Sequence, residues 1–144
     1  MVPPTSPSID LLDHLLVPVA NEADARATAE ALLPLSPGQI SVLHVVEKRE
    51  GAPDKTPIEQ SELVAEESFS AFRGYFPLAE EVVDYRSDVV AAIIEAASAC
   101  EASAIAFHPR GGSRVVQFLA GDRALRLINE SDRPVISLPL PDGD

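Results

Sequence analysis

Short runs of apolar residues alternate along this chain with longer stretches in which apolar residues recur every three or four positions. The short runs have the length and composition of strands that are buried on both faces of a sheet. The longer stretches have the periodicity of amphipathic helices. This pattern predicts strands at residues 14–20, 40–46, 81–86, 103–107 and 134–138, alternating with helices at 23–33, from 58 onward, after Ser87, and at 122–130.

Capping residues and prolines mark where the predicted helices begin and end. Asn21 is a good N-cap for the first helix, which stops at Pro34. Ser87 is predicted to cap the third helix. The strand at 81–86 contains several polar residues, which favours a position at the edge of a sheet.

Regular alternation of strands and helices is typical of an α/β fold. Because the strands are apolar on both faces, we expect a parallel, Rossmann-like or flavodoxin-like sheet, covered by helices on both sides and joined by right-handed crossovers. A chain of 144 residues fits one such domain. We assign this domain to residues 13–140, with a flexible N-terminal tail at 1–12 and a C-terminal tail at 141–144.

Hydrophobic residues make up 46% of the chain, but charged residues or prolines interrupt every apolar run. No run reaches the roughly 18 residues that a membrane-spanning helix needs. The N-terminus contains three prolines and lacks the basic and apolar regions of a signal peptide. We therefore expect a cytoplasmic protein that does not associate with membranes.

The formal net charge of −12 argues against polyanionic partners. Phosphate contacts need clustered basic residues, so nucleic acids and anionic membrane surfaces are not expected to bind. Nine of the 11 basic residues are arginines and only two are lysines. An acidic, lysine-poor surface is typical of proteins from high-salt cytoplasms, where counterions screen self-repulsion. The composition favours a halophilic protein, with an ordinary acidic protein as the alternative.

Several segments carry a resemblance to a known family. They are Leu15–Val19 (LLVPV), Leu43–Val46 (LHVV), Arg133–Ile136 (RPVI) and the glycine loop that begins at Gly111. In these segments and in its order of elements, the chain resembles the universal stress protein family over about residues 13–140. The resemblance implies a five-stranded parallel sheet of order 3-2-1-4-5 between four helices, and it implies a homodimer.

The ATP-binding members of this family carry a loop of the pattern Gly-x2-Gly-x9-Gly-Ser/Thr, and the chain retains only its length. Gly111 and Gly121 are separated by nine residues, as the pattern requires. His108 stands at the first glycine position and Asp122 at the Ser/Thr position, while Ala20 replaces an aspartate that faces the nucleotide. The candidate nucleotide crevice that the resemblance implies consists of Pro18, Ala20, Val45, His108, Arg110, Gly111, Gly112, Gly121 and Asp122.

Electrostatics predicts that these substitutions weaken phosphate binding. A phosphate would be held by backbone N–H groups of the loop and by the positive end of the fourth helix, with Arg110 as a basic neighbour. As an N-cap, the Asp122 carboxylate would occupy those donors and repel the phosphate. We therefore expect no cofactor and no productive ATP binding, with weak binding of ATP or AMP as the alternative.

The histidines and the single cysteine each have a structural interpretation. His108 lies at a junction between strand and loop, and we interpret it as a polar surface residue rather than a ligand contact. We interpret His44 as a hydrogen-bonded core or crevice histidine, His14 as a strand-entry residue and Cys100 as a small core residue. These residues show no metal-ligand spacing, and the chain has no nucleophile elbow, so we predict neither a metal site nor catalytic residues.

The leading hypothesis is a non-catalytic regulatory or stress-response module that acts through dimerisation and contacts with an unidentified partner protein. Because the last strand is apolar on both faces, Val135, Ile136 and Leu138 are expected to form the dimer interface. The alternative is a nucleotide-binding member that uses the Gly111–Gly121 loop. A phospho-acceptor receiver domain is disfavoured, because the first strand does not end in the acidic cluster that holds magnesium in such domains.

Overall fold

The computed structural model describes residues 10–47, 58–108 and 122–139, so the predicted tails lie largely outside it. Five strands alternate with four helices within these ranges, and a short 3-10 turn at Leu33–Leu35 follows the first helix. No helix in this part of the chain is long and apolar enough to cross a membrane. The elements are β1 (His14–Pro18), α1 (Glu22–Leu32), β2 (Gln39–Glu47), α2 (Ile58–Arg73), β3 (Glu80–Arg86), α3 (Val89–Ala99), β4 (Ala104–Phe107), α4 (Asp122–Glu130) and β5 (Val135–Ser137).

The five strands form one parallel sheet in the order β3-β2-β1-β4-β5. β1 occupies the centre, where Leu16 pairs with Ser41 of β2 on one side and with Ile105 of β4 on the other. The predicted fold class and strand order are confirmed, as is the edge position of β3. Because the strand order reverses at β1, the crevice of such a sheet lies at the carboxyl ends of β1 and β4.

Helices cover both faces of the sheet, and each pair packs on its own cluster of buried apolar residues. Leu15 and Val17 of β1 pack with α1 and α2, whose buried residues include Phe69 and Phe72. Leu16, which lies between them in sequence, packs with α3 and α4 on the opposite face. Successive residues of β1 thus enter two separate cores, which explains why this strand is an unbroken apolar run.

Of the three predicted helix N-caps, that of α1 is confirmed, and those of α3 and α4 differ from the prediction. Asn21 is the N-cap of α1, and its side chain accepts a hydrogen bond from the N–H of Asp24 at 2.8 Å. The prediction for α3 was wrong by one residue, because Asp88 rather than Ser87 is the N-cap. A carboxylate at this position also interacts favourably with the helix dipole. Asp122 is the first residue of α4 and not its N-cap, which corrects the expected role of this side chain.

The strand ends differ from prediction by one or two residues. β1 ends at Pro18, although the N–H of Val19 still donates to the carbonyl oxygen of Leu43 at 2.8 Å. β5 is limited to Val135–Ser137. Leu138 is 2% exposed and packs in the core with α1 and α2, so the expectation that it forms part of a dimer interface was wrong.

Arg133 fixes the entrance of β5. Its Nη1 donates to the carbonyl oxygens of Ala97 and Ala102, each at 2.9 Å, and its Nε contacts Asp132 at 3.0 Å. One guanidinium therefore connects the end of α3 with the segment before β4 and with β5, and it offsets the negative end of the helix dipole. Cys100 lies between the two carbonyls in sequence, and it is half-buried at the margin of the core rather than fully inside it.

Candidate functional site

The crevice is bordered by residues that directly follow β1 and β4. Ala20 and Asn21 connect β1 to α1, and His108 comes immediately after β4. Because β1 and β4 are parallel neighbours, these residues reach the same edge of the sheet, as the fold class requires.

Asp24, in the first turn of α1, lies at this edge and is only 2% exposed. Its Oδ2 accepts a hydrogen bond from the backbone N–H of Ala20 at 2.8 Å. Its own backbone N–H donates to Oδ1 of Asn21 at 2.8 Å. The first turn of a helix stabilises a carboxylate, because the N–H groups there carry partial positive charge. The polar backbone that follows β1 is therefore bonded by the side chains of the chain itself.

His108 is 3% exposed, so its interpretation as a surface residue was wrong. Its Nδ1 lies 4.0 Å from Oδ1 of Asp24. A carboxylate and an imidazole thus face each other inside the protein, between the end of β4 and the start of α1. The ring fills space that a glycine at this position would leave open to an approaching ligand.

His44 is a second buried histidine at this end of the sheet, near the end of β2. Its Nδ1 donates to the backbone oxygen of Val19 at 3.2 Å, which confirms the interpretation as a hydrogen-bonded histidine. Burial lowers the pKa of its imidazole below the usual value of 6.5, and the bond to Val19 acts in the opposite direction with the smaller effect. The ring is therefore neutral at pH 7. His14, the first residue of β1, pairs through Nε2 with Oγ of Ser41 at 2.9 Å, as expected of a strand-entry residue.

The other predicted site residues are distributed over several places. Pro18 is buried at the end of β1. Val45 is buried in the cluster with α3 and α4, on the face of the sheet opposite to α1, so its side chain does not face Asp24. Asp122 is exposed in the first turn of α4, at the positive end of that helix. The remaining four predicted residues lie outside the described residues: Arg110, Gly111, Gly112 and Gly121.

Asp24 is absent from the site residues predicted from the sequence, and its burial was missed. A signal was present in the spacing of Asn21 and Asp24, which is that of a capping box, where the fourth residue reaches back to a backbone N–H. In this chain the carboxylate reaches the N–H of Ala20, one residue before the cap. Among the residues that the structure describes, no group of three His, Cys, Asp or Glu side chains is placed to hold a metal ion. At Ala20, Asn21 and Asp24, the described part of the crevice consists of hydrogen bonds between the chain's own groups.

Comparison with known proteins gives one family and one fold. The model of the universal stress protein family matches residues 12–139, while no curated protein sequence matches the chain. A universal stress protein from Archaeoglobus fulgidus has a similar structure, with a TM-score of 0.62 at 22% identity over 88% of this chain and 93% of that one. The universal stress protein from Archaeoglobus fulgidus in complex with dAMP gives 0.61 at 20% identity, over 90% of this chain and 100% of that one. A universal stress protein in complex with cAMP gives 0.61 at 15% identity, over 90% and 99%.

Proposed function

Because the chain belongs to the universal stress protein family, we propose that it is a regulatory or stress-response module without productive ATP binding. It acts through dimerisation and through contacts with a partner protein, and not through catalysis. The observation that carries this proposal is the burial of Asp24 and His108 against each other at the carboxyl ends of β1 and β4. There the N–H of Ala20 donates to the buried carboxylate of Asp24 at 2.8 Å, so this backbone donor is already bonded within the chain.

A nucleotide in this crevice would have to displace contacts that the chain already makes. His108 fills space beside Asp24, and neither side chain is more than 3% exposed. A phosphate that came within 4 Å of a carboxylate such as Asp24 would be opposed by about 4 kcal/mol at an effective dielectric constant near 20. Asp122, at the start of α4, adds a second negative charge where the helix dipole would otherwise attract phosphate.

The second candidate function is nucleotide binding through Arg110 and the Gly111–Gly121 loop. It is favoured by the two similar structures that contain dAMP and cAMP, both of which are monophosphates. A single phosphate carries less charge than the triphosphate of ATP, so a carboxylate at Asp122 opposes it less. On this alternative the chain binds AMP more tightly than ATP.

Calorimetry with ATP, ADP and AMP in molar KCl tests the two functions against each other. We expect the unmodified chain to bind ATP more weakly than about 1 mM, the concentration at which a site contributes only about 4 kcal/mol. Micromolar binding of ATP would contradict the proposal. Micromolar binding of AMP alone would establish the second candidate function.

The double replacement of Ala20→Asp with Asp122→Ser restores the two residue types of the family's ATP-binding pattern. If the crevice is a former nucleotide site, this variant should gain at least tenfold in ATP affinity. Glu66→Ser is the matched control for the lost charge, because Glu66 is an exposed acid of α2, and it should leave the affinity unchanged. If the double variant gains nothing, His108 or the surrounding backbone closes the crevice.

The homodimer is the other half of the proposal. β5 lies at the edge of the sheet, and Val135 and Ile136 are each only half-buried by their own chain. An unpaired, partly apolar edge strand is a template for pairing with another strand. We therefore assign the dimer interface to β5 through Val135 and Ile136, without Leu138.

A further inference from the structure

A cavity of about 350 Å³ opens at the amino ends of β2 and β3, at the opposite end of the sheet from the crevice. Residues 38–40 at the start of β2 and residues 75–79 between α2 and β3 form its walls, and we call it the Leu78 pocket. Its apolar side chains include Ile40, Phe76 and Leu78. A cavity of this size lies within the range that proteins use to bind ligands.

Leu78 projects into solvent from a turn that is firmly held. The side chain is 93% exposed. Arg73 donates from Nε and Nη2 to the carbonyl oxygen of Pro77 at 3.2 and 3.1 Å, and its Nη1 contacts Oε2 of Glu81 at 3.0 Å. These bonds connect the end of α2, the turn and the start of β3. Because the backbone under Leu78 is already ordered, a partner that covers this side chain loses little affinity to ordering the turn.

Acidic side chains border the Leu78 pocket together with two arginines, Arg26 and Arg73, each of which is paired with a glutamate. Glu30 accepts a hydrogen bond from the hydroxyl of Tyr75, a residue of the pocket wall, at 2.7 Å. Glu80 directly follows the wall and is exposed. The guanidinium of Arg73 is already paired with Glu81. The rim is therefore complementary to a cation on an incoming partner.

The free edge of the sheet next to the pocket favours an extended peptide over a small molecule. β3 is an edge strand, and no strand pairs with its outer side among the described residues. Val83 and Tyr85 on this strand are 42% and 44% exposed. A peptide segment that pairs with the edge of β3 would form hydrogen bonds with the backbone of β3 and cover Val83 and Tyr85. A side chain of the same segment would then reach the pocket at the start of β3.

We propose that the Leu78 pocket binds a segment of a partner protein in which an apolar side chain stands next to a lysine or arginine. The apolar side chain enters the cavity beside Leu78, and the cation meets Glu30 or Glu80 at the rim. This proposal rests on the proposed function in that it gives a location to the partner contacts. It involves no residue of the crevice, so peptide binding and ATP binding are tested independently.

Selection from a random heptapeptide library against the immobilised full-length chain tests the proposal. We expect enrichment of peptides with Leu, Met or Phe next to Lys or Arg, and we expect a selected peptide to shift the amide NMR signals of Gly38 and Ala79. Leu78→Ser should weaken binding at least tenfold without unfolding the chain, because the side chain is 93% exposed. Leu63→Ser is the matched control: it removes a leucine of α2 that is 52% exposed, and it should leave binding unchanged.

Charge reversal provides an independent readout. Glu80→Lys should weaken binding severalfold and reduce its dependence on salt. The proposal is overturned if the selected peptides lack the expected pattern, if they bind Leu78→Ser as tightly as the unmodified chain, or if they shift the signals of Ala20 and His108 instead. A further outcome also overturns the proposal: the amide NMR signals of Gly38 and Ala79 shift as the protein concentration rises without peptide, and Leu78→Ser abolishes this shift. The occupant of the pocket is then a second copy of the chain. ATP titration of the same samples reports separately on the proposed function.

Discussion

Replacement of the buried carboxylate at Asp24 should measurably destabilise the chain. Asp24→Ala leaves the N–H of Ala20 without its acceptor and removes a charge that faces His108 at 4.0 Å. A hydrogen bond to a charged group contributes about 1.5–3 kcal/mol, and a partly buried charge at a helix terminus contributes up to about 2 kcal/mol. Because these contributions overlap, we expect the free energy of unfolding to fall by about 3 kcal/mol, or about 10 °C in Tm for a domain of this size.

Urea denaturation followed by circular dichroism at pH 7 measures this change. Asp24→Asn should lose about half as much stability, because its amide oxygen can still accept from the N–H of Ala20. Glu22→Ala is the matched control: Glu22 is another acid in the first turn of α1, but it is exposed and forms only a surface pair with Arg26. A surface substitution of this kind changes stability by less than about 0.5 kcal/mol.

A double-mutant cycle separates the contact between Asp24 and His108 from the capping role of Asp24. We expect Asp24→Asn and His108→Gln to show a coupling energy above about 1 kcal/mol, as residues in contact commonly do. Additive effects would refute the pairing across the crevice. Stability of Asp24→Ala within about 1 kcal/mol of the unmodified chain would refute this reasoning, and with it the buried Asp24 contacts on which the proposed function rests.

Three further predictions follow from other parts of the molecule. Since burial lowers the pKa of His44, the unfolded chain binds the proton more tightly, and the free energy of unfolding should fall as the pH drops below 6.5. Urea titrations at several pH values measure this dependence, and His44→Gln should make it weaker. With a net charge of −12, Tm should rise by several degrees from low salt to molar KCl as the Debye length shortens, and a flat or falling curve would argue against a halophilic protein. Light scattering at tens of micromolar protein should give twice the chain mass of 15.3 kDa, and Ile136→Lys should give the mass of one chain. A monomeric unmodified protein would contradict the β5 interface.

The fold followed from the sequence because its signals are local or repeated. The apolar runs at 14–20 and 40–46 gave the buried strands, and Asn21 gave the start of α1. The order of the strands in the sheet had a different origin. Alternating strands and helices are compatible with several orders, so the order came from the family resemblance and was then confirmed by the structure.

The candidate site could be predicted only in outline, because burial depends on how separate elements meet. Asp24 resembles any first-turn acid in the sequence, and only the approach of β4 and His108 to α1 makes it a buried partner. Val45 was assigned to the crevice through the family resemblance, and the alternation of side chains along β2 directs it to the cluster with α3 and α4, on the face opposite to Asp24. Leu138 was assigned to the dimer interface because the last strand is apolar on both faces, but its side chain is 2% exposed and packs in the core with α1 and α2.

The guanidinium of Arg133 has a consequence for assembly. A strand of three residues at a sheet edge has few ladder bonds of its own, yet β5 is held at its entrance by the bonds of Arg133 to Ala97 and Ala102. At its exit, the N–H of Leu138 donates to the carbonyl oxygen of Phe107 at 2.8 Å. The edge is therefore ordered within a single chain, so in the proposed dimer its conformational entropy would be lost during folding rather than during association. Arg133→Lys keeps the positive charge but loses the planar guanidinium that binds two carbonyl oxygens and a carboxylate at once. It should therefore make β5 more mobile while the net charge of the surface stays the same.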